Sequence, residues 1–462
     1  MAVLHADGLD FAVTVSVVII GGGACGLTAA LTVADADVEV LVLERDAVPQ
    51  GSTALSSGMI PACNTEIQRE KGVEDTVEIM MSDILGKAHF ETDAAMVDVV
   101  CRESGPAVDW LVRDHGVELT LVEGFLYPNH SRLRMHAPPS RLGADLIGGL
   151  TRAAANADID ILTEARVKDL YADDGVIKGL RYERPDGSTD TVGCGALILA
   201  CNGFGGNPDM VARLIPDMVE ANYFGHTGNQ GEAIDWGQAL GAATGDLGAF
   251  QGHGSVAHSH GILISWALMM EGGVQVNTEG VRFSNEHEGY SEQGRRVMAQ
   301  PGGIAWNIFD SRQYELGQGF EDFLNAVSAG AVRTADNVEA LAEICDLPAE
   351  ALVATLAKSE LLAAGEGVDE FGRDFTTKPA LAAPYHAIRV TGSVFHTQGG
   401  LIVNGHAQVM REDGTSFPNL YAGGGAARGV SGPSDWGYLS GNGLLTAVTL
   451  GRIAGRSASH QR

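Results

Sequence analysis

Three glycines and one acid near the start of the chain have the types and spacing of a dinucleotide-binding turn. Gly21, Gly23 and Gly26 form the pattern G-x-G-x-x-G, and Glu44 follows eighteen residues after the last glycine. The first glycine permits a sharp bend, the second lets the backbone approach a pyrophosphate, and the third lets a helix pack on a strand. A carboxylate at Glu44 can accept hydrogen bonds from adenosine ribose hydroxyls. These residues predict dinucleotide binding.

The elements needed to position these residues lie in residues 15–46. An apolar run, VSVVII, precedes the glycines, an Ala- and Leu-rich segment follows them, and a second apolar run ends at Glu44. This order predicts a strand, a helix and a second, parallel strand. The helix N-terminus would offer unpaired N–H groups and a positive dipole end to phosphate.

Residues 51–58, GSTALSSG, favour FAD over NAD. They place small hydroxylated side chains and flexible backbone directly after the second strand, where NAD enzymes usually continue with another strand and helix. Two further apolar strands run into glycine turns, at residues 196–207 (ALILACNGFGGN) and 419–425 (NLYAGGG).

These segments together resemble the flavoprotein family of fumarate reductases and 3-ketosteroid dehydrogenases, whose matching segments read roughly GGSSxxSGG, LATGGF and LYAAGE. Further matches in family order are TGNQG at 227–231, RFSNE at 282–286, FGR at 371–373 and HTQGGL at 396–401. The chain departs from the family at Cys201 and Asn202, which replace Thr-Gly. It departs again at Gly425, where the family commonly has a cofactor-binding Glu.

The resemblance implies an α/β fold, with a Rossmann-type FAD-binding domain and an inserted α+β capping domain. The expected segments are 1–246 for the first part of the FAD-binding domain, 247–395 for the capping domain, and 396–462 for the return to the FAD-binding domain. Within the capping segment, residues 335–364 have helical periodicity with a break at Pro348, which predicts a pair of helices.

FAD is the implied cofactor, and its binding is expected to be non-covalent because no His lies in residues 51–58, where succinate dehydrogenases attach the flavin. The N-terminus of the final helix is suited to hold negative charge on the N1/O2 edge of the flavin. The residues expected to contact FAD are Gly21, Gly23, Ala24, Gly26, Glu44, Arg45, Ser52, Thr53, Ser57, Gly58, Val167, Ala200, Asn202, Gly203, Gly424, Gly425, Asn442, Leu444 and Leu445.

Tyrosines stand where the fumarate reductases use arginines to hold two carboxylates. Tyr290 follows the RFSNE motif and Tyr438 lies in the C-terminal WGYLSG stretch, as in the 3-ketosteroid dehydrogenases. The Glu and Arg of the family's proton relay appear here as Trp266 and Met269. A dicarboxylate would therefore lack its usual counter-ions.

The resemblance implies a role for each tyrosine. Tyr290 is expected to remove the proton α to a ketone, while the β-hydride passes to flavin N5. Tyr438, with the N–H of Gly441 or Asn442, is expected to polarise the carbonyl and stabilise the enolate oxygen. Tyr127 is expected to assist the base.

Three further residues are expected to bind substrate. His253 and His396 fall at the two predicted hinges, and Trp436 lies beside Tyr438. No metal is expected, because His258 and His260 have no third ligand at a suitable spacing.

The leading prediction is an FAD-dependent dehydrogenase acting on a CH–CH group, which desaturates a cyclic ketone such as a 3-ketosteroid or a smaller oxo-cyclohexane. Quinone, oxygen or a redox protein would accept the electrons. One alternative is a reductase of an unsaturated acid or enone, with Arg295, Arg296 or Arg428 contacting a carboxylate. Another alternative is a flavoprotein electron-transfer subunit of a larger complex.

Composition excludes several other classes of function. The net charge of −29 disfavours nucleic acid, which needs clustered Lys and Arg. The six cysteines form no CxxC pattern, so haem or iron–sulfur ligation is not expected. No apolar run reaches the roughly 18 residues needed to span a bilayer. The first residues, MAVLHADGLDFA, lack the features of an export signal, and a cytoplasmic location is expected.

Overall fold

The computed structural model describes residues 2–460. In chain order the strands are β1 Ala2–Leu4, β2 Thr14–Ile20, β3 Val40–Leu43, β4 Ile60–Pro61, β5 Thr120–Leu121, β6 Met135–Ala137, β7 Asp160–Leu162, β8 Arg166–Asp173, β9 Val176–Glu183, β10 Thr189–Leu199, β11 Asn222–Tyr223, β12 Thr244–Gly245, β13 Phe250–Ala257, β14 Ile262–Leu263, β15 Val274–Asn277, β16 Ile304–Asp310, β17 Val332–Ala335, β18 Tyr385–Thr397, β19 Gly400–Leu401, β20 Gln408–Met410 and β21 Ser416–Ala422.

The α-helices follow the same order. They are α1 Ala24–Ala34, α2 Gly51–Ala54, α3 Glu66–Glu70, α4 Val77–Lys87, α5 Ala94–Arg113, α6 Gly143–Asn156, α7 Pro208–Leu214, α8 Glu232–Ala239, α9 Ala267–Met270, α10 Tyr290–Met298, α11 Ser311–Gly317, α12 Glu321–Ser328, α13 Val338–Cys345, α14 Ala349–Ala363 and α15 Asn442–Ser459.

The chain divides into two units. The first unit contains the described residues up to Ile215, then Phe224–Phe250, and then the described residues from His396 onward. The second contains Pro216–Tyr223 and Gln251–Phe395. The capping segment predicted from the sequence begins at 247 and omits Pro216–Tyr223. That short segment joins the second unit because β11 pairs in parallel with β18, where Asn222 lies opposite Ser393.

The sheet of the first unit brings four strand ends to one edge. Its order is β1-β8-β9-β10-β2-β3-β7, with β21 also paired to β10 and β20 to β21. β3, β2, β10 and β21 are parallel neighbours, and their last residues pair in register: Leu43 with Ile20, Ile20 with Leu199, and Leu199 with Ala422. The glycine-rich segments that follow these strands therefore start side by side, at the edge where open α/β sheets bind ligands. The α/β fold class is confirmed.

The predicted strand–helix–strand unit is confirmed as β2, α1 and β3. α1 packs against α15, and two glycines of α15 allow the backbones to approach closely. A Cβ at Gly451 would lie 2.5 Å from the Cys25 carbonyl oxygen, and a Cβ at Gly455 would lie 2.5 Å from that of Ala29. Leu27 and Leu31 of α1 are fully buried, and each such side chain stabilises the fold by roughly 1.5–3 kcal/mol.

The second unit has its own sheet and core. Its strands run β14-β13-β18-β16-β15, with β11 and β17 also paired to β18. The predicted helix pair is confirmed as α13 and α14, with Pro348 at the N-cap of α14. α10 packs closely on β13, since a Cβ at Gly294 would lie 2.9 Å from the His253 nitrogen. The Gly252 N–H of β13 also donates to the Ser291 hydroxyl at 3.0 Å, which ties the first turn of α10, beginning at Tyr290, to this strand.

The RFSNE and FGR motifs form a buried ion network in the second unit. Arg282 bonds Glu286 at 2.8 Å and Asp369 at 2.7 Å, and Arg373 bonds Glu286 at 2.9 Å. Burial opposes ionisation of Glu286, but the two arginines outweigh it and lower its pKa to about 2. Two positive and two negative side chains balance one another, so each charge in this buried network has a partner, and removing one charge would leave another uncompensated.

Among residues 2–460, no helix is long and apolar enough to cross a membrane.

Candidate active site

The glycine turn has no room for side chains. Gly21 adopts φ +107°, which favours glycine, and a Cβ there would lie 2.5 Å from the Ala200 carbonyl oxygen. A Cβ at Gly26 would lie 1.9 Å from the Gly21 carbonyl oxygen. Gly23 is the N-cap of α1 and caps it with no side chain. The turn thus presents bare backbone N–H groups at a helix N-terminus, an arrangement that suits a pyrophosphate.

Glu44 lies directly after β3 and is tied to this turn. Its carboxylate accepts hydrogen bonds from the N–H of Gly22 at 2.8 Å and of Asp46 at 2.9 Å. Burial raises the pKa of Glu44, while these two N–H donors act in the opposite direction. Thr53 lies close by, since its hydroxyl accepts from the Ala24 N–H at 3.1 Å.

The 227–231 motif is held by two other predicted cofactor residues. Arg45 donates to the Gly228 carbonyl and lies 3.5 Å from the Glu232 carboxylate. The Ser52 hydroxyl accepts from the His226 N–H at 3.1 Å and from the Asn229 side chain at 2.9 Å. The motif therefore lies against the segment that follows β3.

The two departures from the family motifs are in direct contact. Asn202 adopts φ +65°, a conformation that Asn tolerates better than most residues, and its side-chain oxygen accepts from the Gly203 N–H at 2.9 Å. A Cβ at Gly425 would lie 2.1 Å from that oxygen. A glutamate at 425 would therefore displace the Asn202 side chain, and its Cβ would also lie 3.0 Å from the Gly203 nitrogen.

The remaining residues predicted to contact FAD fall into groups. The residues that follow β10 and β21 start side by side, because Leu199 pairs with Ala422, and Gly424 lies against α15, since a Cβ there would lie 3.7 Å from Ala447. Ser57 is exposed, and Gly58 has φ +64°. Val167 is buried in β8, two residues after Ala165, whose N–H bonds the Glu44 carbonyl. The grouped residues are Ala200 and Gly203, then Gly424, then Leu444 and Leu445.

The N-terminus of α15 supports the fit of a flavin. Gly441, with φ +86°, is the N-cap and contributes no side-chain cap. Asn442 is fully buried, yet its side-chain oxygen has no hydrogen-bond partner among residues 2–460. A buried acceptor without a partner is costly unless a bound group satisfies it. These N–H groups and this oxygen would hold the polar edge of the flavin ring.

Tyr438 lies against this helix end. Its side chain is 6% exposed, and burial raises its pKa above the ordinary value of a phenol. Hydrogen bonds from the Gly443 and Gly441 backbone act in the opposite direction but are outweighed. The phenol is therefore neutral at pH 7 and can act as a hydrogen-bond donor.

His396 lies beside Tyr438, with ring centroids 5.4 Å apart and the rings edge to face. Burial lowers the pKa of His396 to about 4, so the imidazole is neutral. A Cβ at Gly443 would lie 2.7 Å from Cε1 and 2.8 Å from Nε2 of this ring. Glycine at 443 is thus what allows the ring to sit there.

Trp436 and Tyr127 lie in two other segments of the first unit. Trp436 is half-buried and stacks on His89 at 4.4 Å. Tyr127 is half-buried, and burial raises its pKa. Nearby, His130 places Nε2 3.0 Å from the Ser440 carbonyl, which ties the Tyr127 segment to the residue that precedes Gly441.

Tyr290 and His253 lie together in the second unit. Their rings stack with centroids 5.0 Å apart and an interplanar angle of 25°. Burial lowers the pKa of His253 to about 3. The Ser255 N–H donates to Nδ1 of His253 at 3.1 Å, so the neutral ring carries its proton on Nε2. The edge of Trp266 packs on the same ring at 5.9 Å.

The arginines considered for a carboxylate substrate are paired within the protein. Arg428 bonds Asp93 at 2.5 Å and lies 4.0 Å from Asp246. Arg295 lies 3.4 Å from a carboxylate oxygen of Asp217, and Arg296 is ion-paired with an acidic side chain of its own unit.

Sequence reasoning missed Gln398, Ser431 and His130. The Gln398 amide nitrogen lies 2.9 Å from Nδ1 of His396, and the Ser431 hydroxyl donates to the Gln398 oxygen at 2.7 Å. A polar residue at the variable position of HTxGGL was the available signal for Gln398. Nothing in the spacing pointed to the other two.

Two features lie away from these residues. A cavity of about 210 Å³ in the second unit is lined by Arg373, Phe375 and Tyr385 among others, and contains none of the predicted site residues. Within residues 2–460, His5, Asp7 and Asp173 could offer metal ligands within 4.8 Å of one another, but they are exposed or half-buried.

The parallel sheet edge, the glycine turn, Glu44 and the second helix end together define a flavin-nucleotide-binding protein of Rossmann type. The chain belongs to the FAD binding domain family, whose family model matches residues 16–444. The expected cofactor, FAD, and the expected class, an FAD-dependent oxidoreductase, are thereby confirmed.

Both groups named in the predicted resemblance occur among similar proteins. The chain is 30% identical over 450 residues to the "Fumarate reductase (cytochrome)" of Shewanella frigidimarina, covering 96% of this chain and 77% of that protein. It is 28% identical over 466 residues to the urocanate reductase of Eggerthella lenta, covering 96% and 74%. The structure of 3-ketosteroid-Δ4-(5α)-dehydrogenase from Rhodococcus jostii RHA1 matches with a TM-score of 0.82 and 24% identity over the full length of both chains.

Proposed function

We propose that this enzyme desaturates a cyclic ketone, such as a 3-ketosteroid or a smaller oxo-cyclohexane, by removing a proton from the α carbon and a hydride from the β carbon. The observation that carries the proposal is Tyr438. It is a buried, neutral phenol whose oxygen takes backbone hydrogen bonds at the start of α15. A hydroxyl held in this way donates to a carbonyl oxygen as negative charge develops there.

The charge states of the two histidines assigned to substrate binding also favour a neutral substrate. His396 and His253 are both uncharged at pH 7 because burial lowers the pKa of each. Arg428 and Arg295, which could have held a carboxylate, contact acidic side chains of the protein. A ketone matches these uncharged groups better than a dicarboxylate does, because a buried anion needs a cationic partner.

Tyr290 is assigned the role of base. It is the first residue of α10, at the positive end of the helix dipole, where an anionic side chain is favoured. Its ring stacks on His253, whose neutral Nε2–H can donate a hydrogen bond. Tyr127 is assigned a supporting role, and Trp436 offers a flat apolar face to the substrate. FAD, when bound, accepts the hydride, and a quinone, oxygen or a redox protein reoxidises it.

The proposal is tested by anaerobic reduction of the flavin with a panel of 3-ketosteroids and substituted cyclohexanones. We expect bleaching of the visible flavin absorbance with at least one saturated ketone, and the matching enone as product. A panel that leaves the flavin oxidised while the reduced enzyme turns over fumarate, urocanate or an enone would refute desaturation.

That second outcome would identify a reductase, the candidate favoured by the resemblance to fumarate and urocanate reductases. The two functions share a hydride step and differ in direction. A reductase of fumarate or urocanate would need a cation for the substrate carboxylate. If the reduced enzyme turns over an enone but neither acid, the proposed substrate class is right and the reaction runs in the direction of reduction.

Two variants test the assigned tyrosines. Tyr290→Phe should lower the rate of flavin reduction roughly 10²- to 10⁴-fold, because the base is lost. Tyr438→Phe should lower it roughly 10²- to 10³-fold, because one donor to the developing enolate is lost. Tyr314→Phe is the matched control, since Tyr314 is half-buried and packs on His386 against the core of the second unit. Each variant should retain FAD, and an unchanged rate would remove that tyrosine from the mechanism.

A further inference from the structure

A chain of four buried or half-buried polar side chains ends on His396. The Asn442 amide donates to the Ser431 hydroxyl at 3.0 Å, the Ser431 hydroxyl donates to the Gln398 oxygen at 2.7 Å, and the Gln398 amide nitrogen lies 2.9 Å from Nδ1 of His396. Asn442, Ser431 and Gln398 are no more than 4% exposed. We infer that Gln398, oriented by Ser431 and Asn442, is a positioning residue that keeps the proton of His396 on Nε2.

The order of donors along the chain gives the direction of its last bond. A serine hydroxyl that accepts from an amide N–H has its own proton left to donate, and it donates to the Gln398 oxygen. The opposite end of that amide is an NH₂ group, which can only donate. Nδ1 of His396 must therefore accept, and a neutral imidazole that accepts at Nδ1 carries its proton on Nε2.

A competing contact at the same nitrogen is weaker. The Thr397 carbonyl oxygen lies 3.4 Å from Nδ1 of His396, whereas the Gln398 nitrogen lies at 2.9 Å. A hydrogen bond of this kind has its optimum near 2.9 Å and weakens with distance. The shorter bond also belongs to a chain in which the Ser431 hydroxyl and the Gln398 oxygen are already paired, so it sets the proton position.

His253, in the second unit, also carries its proton on Nε2, but a backbone group fixes it there. Nδ1 of His253 accepts from the Ser255 backbone N–H, a group that cannot act as an acceptor. Two histidines assigned to substrate binding thus present Nε2–H as a donor. This inference rests on the proposed function in one respect: an Nε2–H donor on His396 suits a ketone oxygen, whereas the proton position itself is independent of the substrate.

The proton position can be measured directly in the holoenzyme. The protein is labelled with ¹⁵N-histidine, and nitrogen–proton correlations through the ring distinguish a protonated from an unprotonated Nδ1. The His396 signals are assigned from their loss in His396→Gln. We expect Nδ1 unprotonated and Nε2 protonated at pH 7. A proton on Nδ1 in the unmodified enzyme would overturn the inference.

Substitutions at Gln398 separate positioning from packing. In Gln398→Glu the carboxylate can only accept, so the proton of His396 should move to Nδ1. Gln398→Met keeps the length of the side chain without a hydrogen bond and should leave a mixture of the two tautomers. A pattern identical to the unmodified enzyme in both variants would show that Gln398 does not set the proton.

A pair at Ser431 provides an internal control should Gln398→Glu fold poorly. Ser431→Thr keeps the hydroxyl and should preserve the His396 pattern, whereas Ser431→Ala breaks the chain and should weaken the preference for Nε2. Identical patterns in the two variants would overturn the role of the chain. In flavin reduction, Gln398→Glu should lower the rate roughly tenfold or more, as expected for a misdirected hydrogen bond.

The two proposals fail separately. If no ketone reduces the flavin but Gln398→Glu still moves the proton of His396, the proposed function is wrong and the positioning role stands. If a ketone does reduce the flavin but substitutions at 398 and 431 leave the proton position of His396 unchanged, the proposed function stands and the positioning role is wrong.

Discussion

Replacing Gly443 by alanine should displace the ring of His396 without unfolding the protein. The added Cβ would lie 2.7 Å from Cε1 and 2.8 Å from Nε2 of that ring. Carbon atoms pack best at about 3.5–4.0 Å, so the ring has to move by about 0.8 Å or more. The bond from Gln398 to Nδ1 is 2.9 Å long. A shift of this size away from Gln398 would take it beyond hydrogen-bonding distance.

The consequence should appear in the rate of flavin reduction. A misplacement of about 1 Å in an active site can lower a rate roughly 100-fold, and we expect a loss of that order with the best ketone of the panel. The change in the free energy of unfolding should stay within about 1 kcal/mol, because the ring is a movable side-chain end and alanine is the better helix former.

Gly86→Ala is the matched control. Gly86 is also a helical glycine, in α4, and a Cβ there would meet no atom within 4 Å. We expect a gain of about 0.5–1 kcal/mol in the free energy of unfolding and no change in rate. Stopped-flow absorbance gives the rate, and urea denaturation gives the stability. If the rate of flavin reduction in Gly443→Ala is within about twofold of the rate in Gly86→Ala, the reaction does not depend on the position of the His396 ring.

Three further predictions follow from other contacts. Gly425→Ala should weaken FAD binding, measured by fluorescence titration. Adding Asn202→Gly should restore much of the affinity, because it removes the oxygen 2.1 Å from the new Cβ. Losses of FAD affinity that simply add in the double variant would contradict this. Glu286→Gln should destabilise the second unit by roughly 3–5 kcal/mol, because buried Arg373 loses its ion-pair partner and Arg282 keeps only Asp369. Glu288→Gln, in an exposed ion pair with Arg296, should cost less than about 1 kcal/mol. Similar melting curves for the two variants would refute the importance of the buried network. The free energy of unfolding should fall as pH drops from about 6.5 towards 4.5. Burial lowers the pKa of histidines such as His253, to about 3, so in this pH range these histidines take up protons only in the unfolded chain. A melting temperature that stays constant across this range would contradict the lowered pKa values.

Local sequence patterns were sufficient to predict the elements of the nucleotide-binding turn. The glycine turn, the two strands around it and Glu44 lie within some thirty residues, and each is specified by a short-range rule of periodicity or backbone freedom. β2, α1, β3 and α15 accordingly lie where the sequence predicts them. The family model that matches residues 16–444 agrees with the same segments.

The limits of the domains were harder to predict from the sequence. The predicted cap omitted Pro216–Tyr223, since the β11 strand within it has only two residues and no readable alternation. It belongs to the second unit because it pairs with β18, more than 160 residues later. Pairing over that separation depends on the folded sheet and leaves no local signature.

The sequence alone determined which side chains were available: phenols at 290 and 438, histidines at 253 and 396, and a glycine where the family has a glutamate. Only the tertiary structure decided what surrounds them. It pairs Arg428 with Asp93, fills the space beside Gly425 with Asn202, and joins residues 398, 431 and 442 into one hydrogen-bonded chain. Such contacts depend on side-chain rotamers and on segments that meet only after folding, whereas residue types and short-range spacing are already present in the unfolded chain.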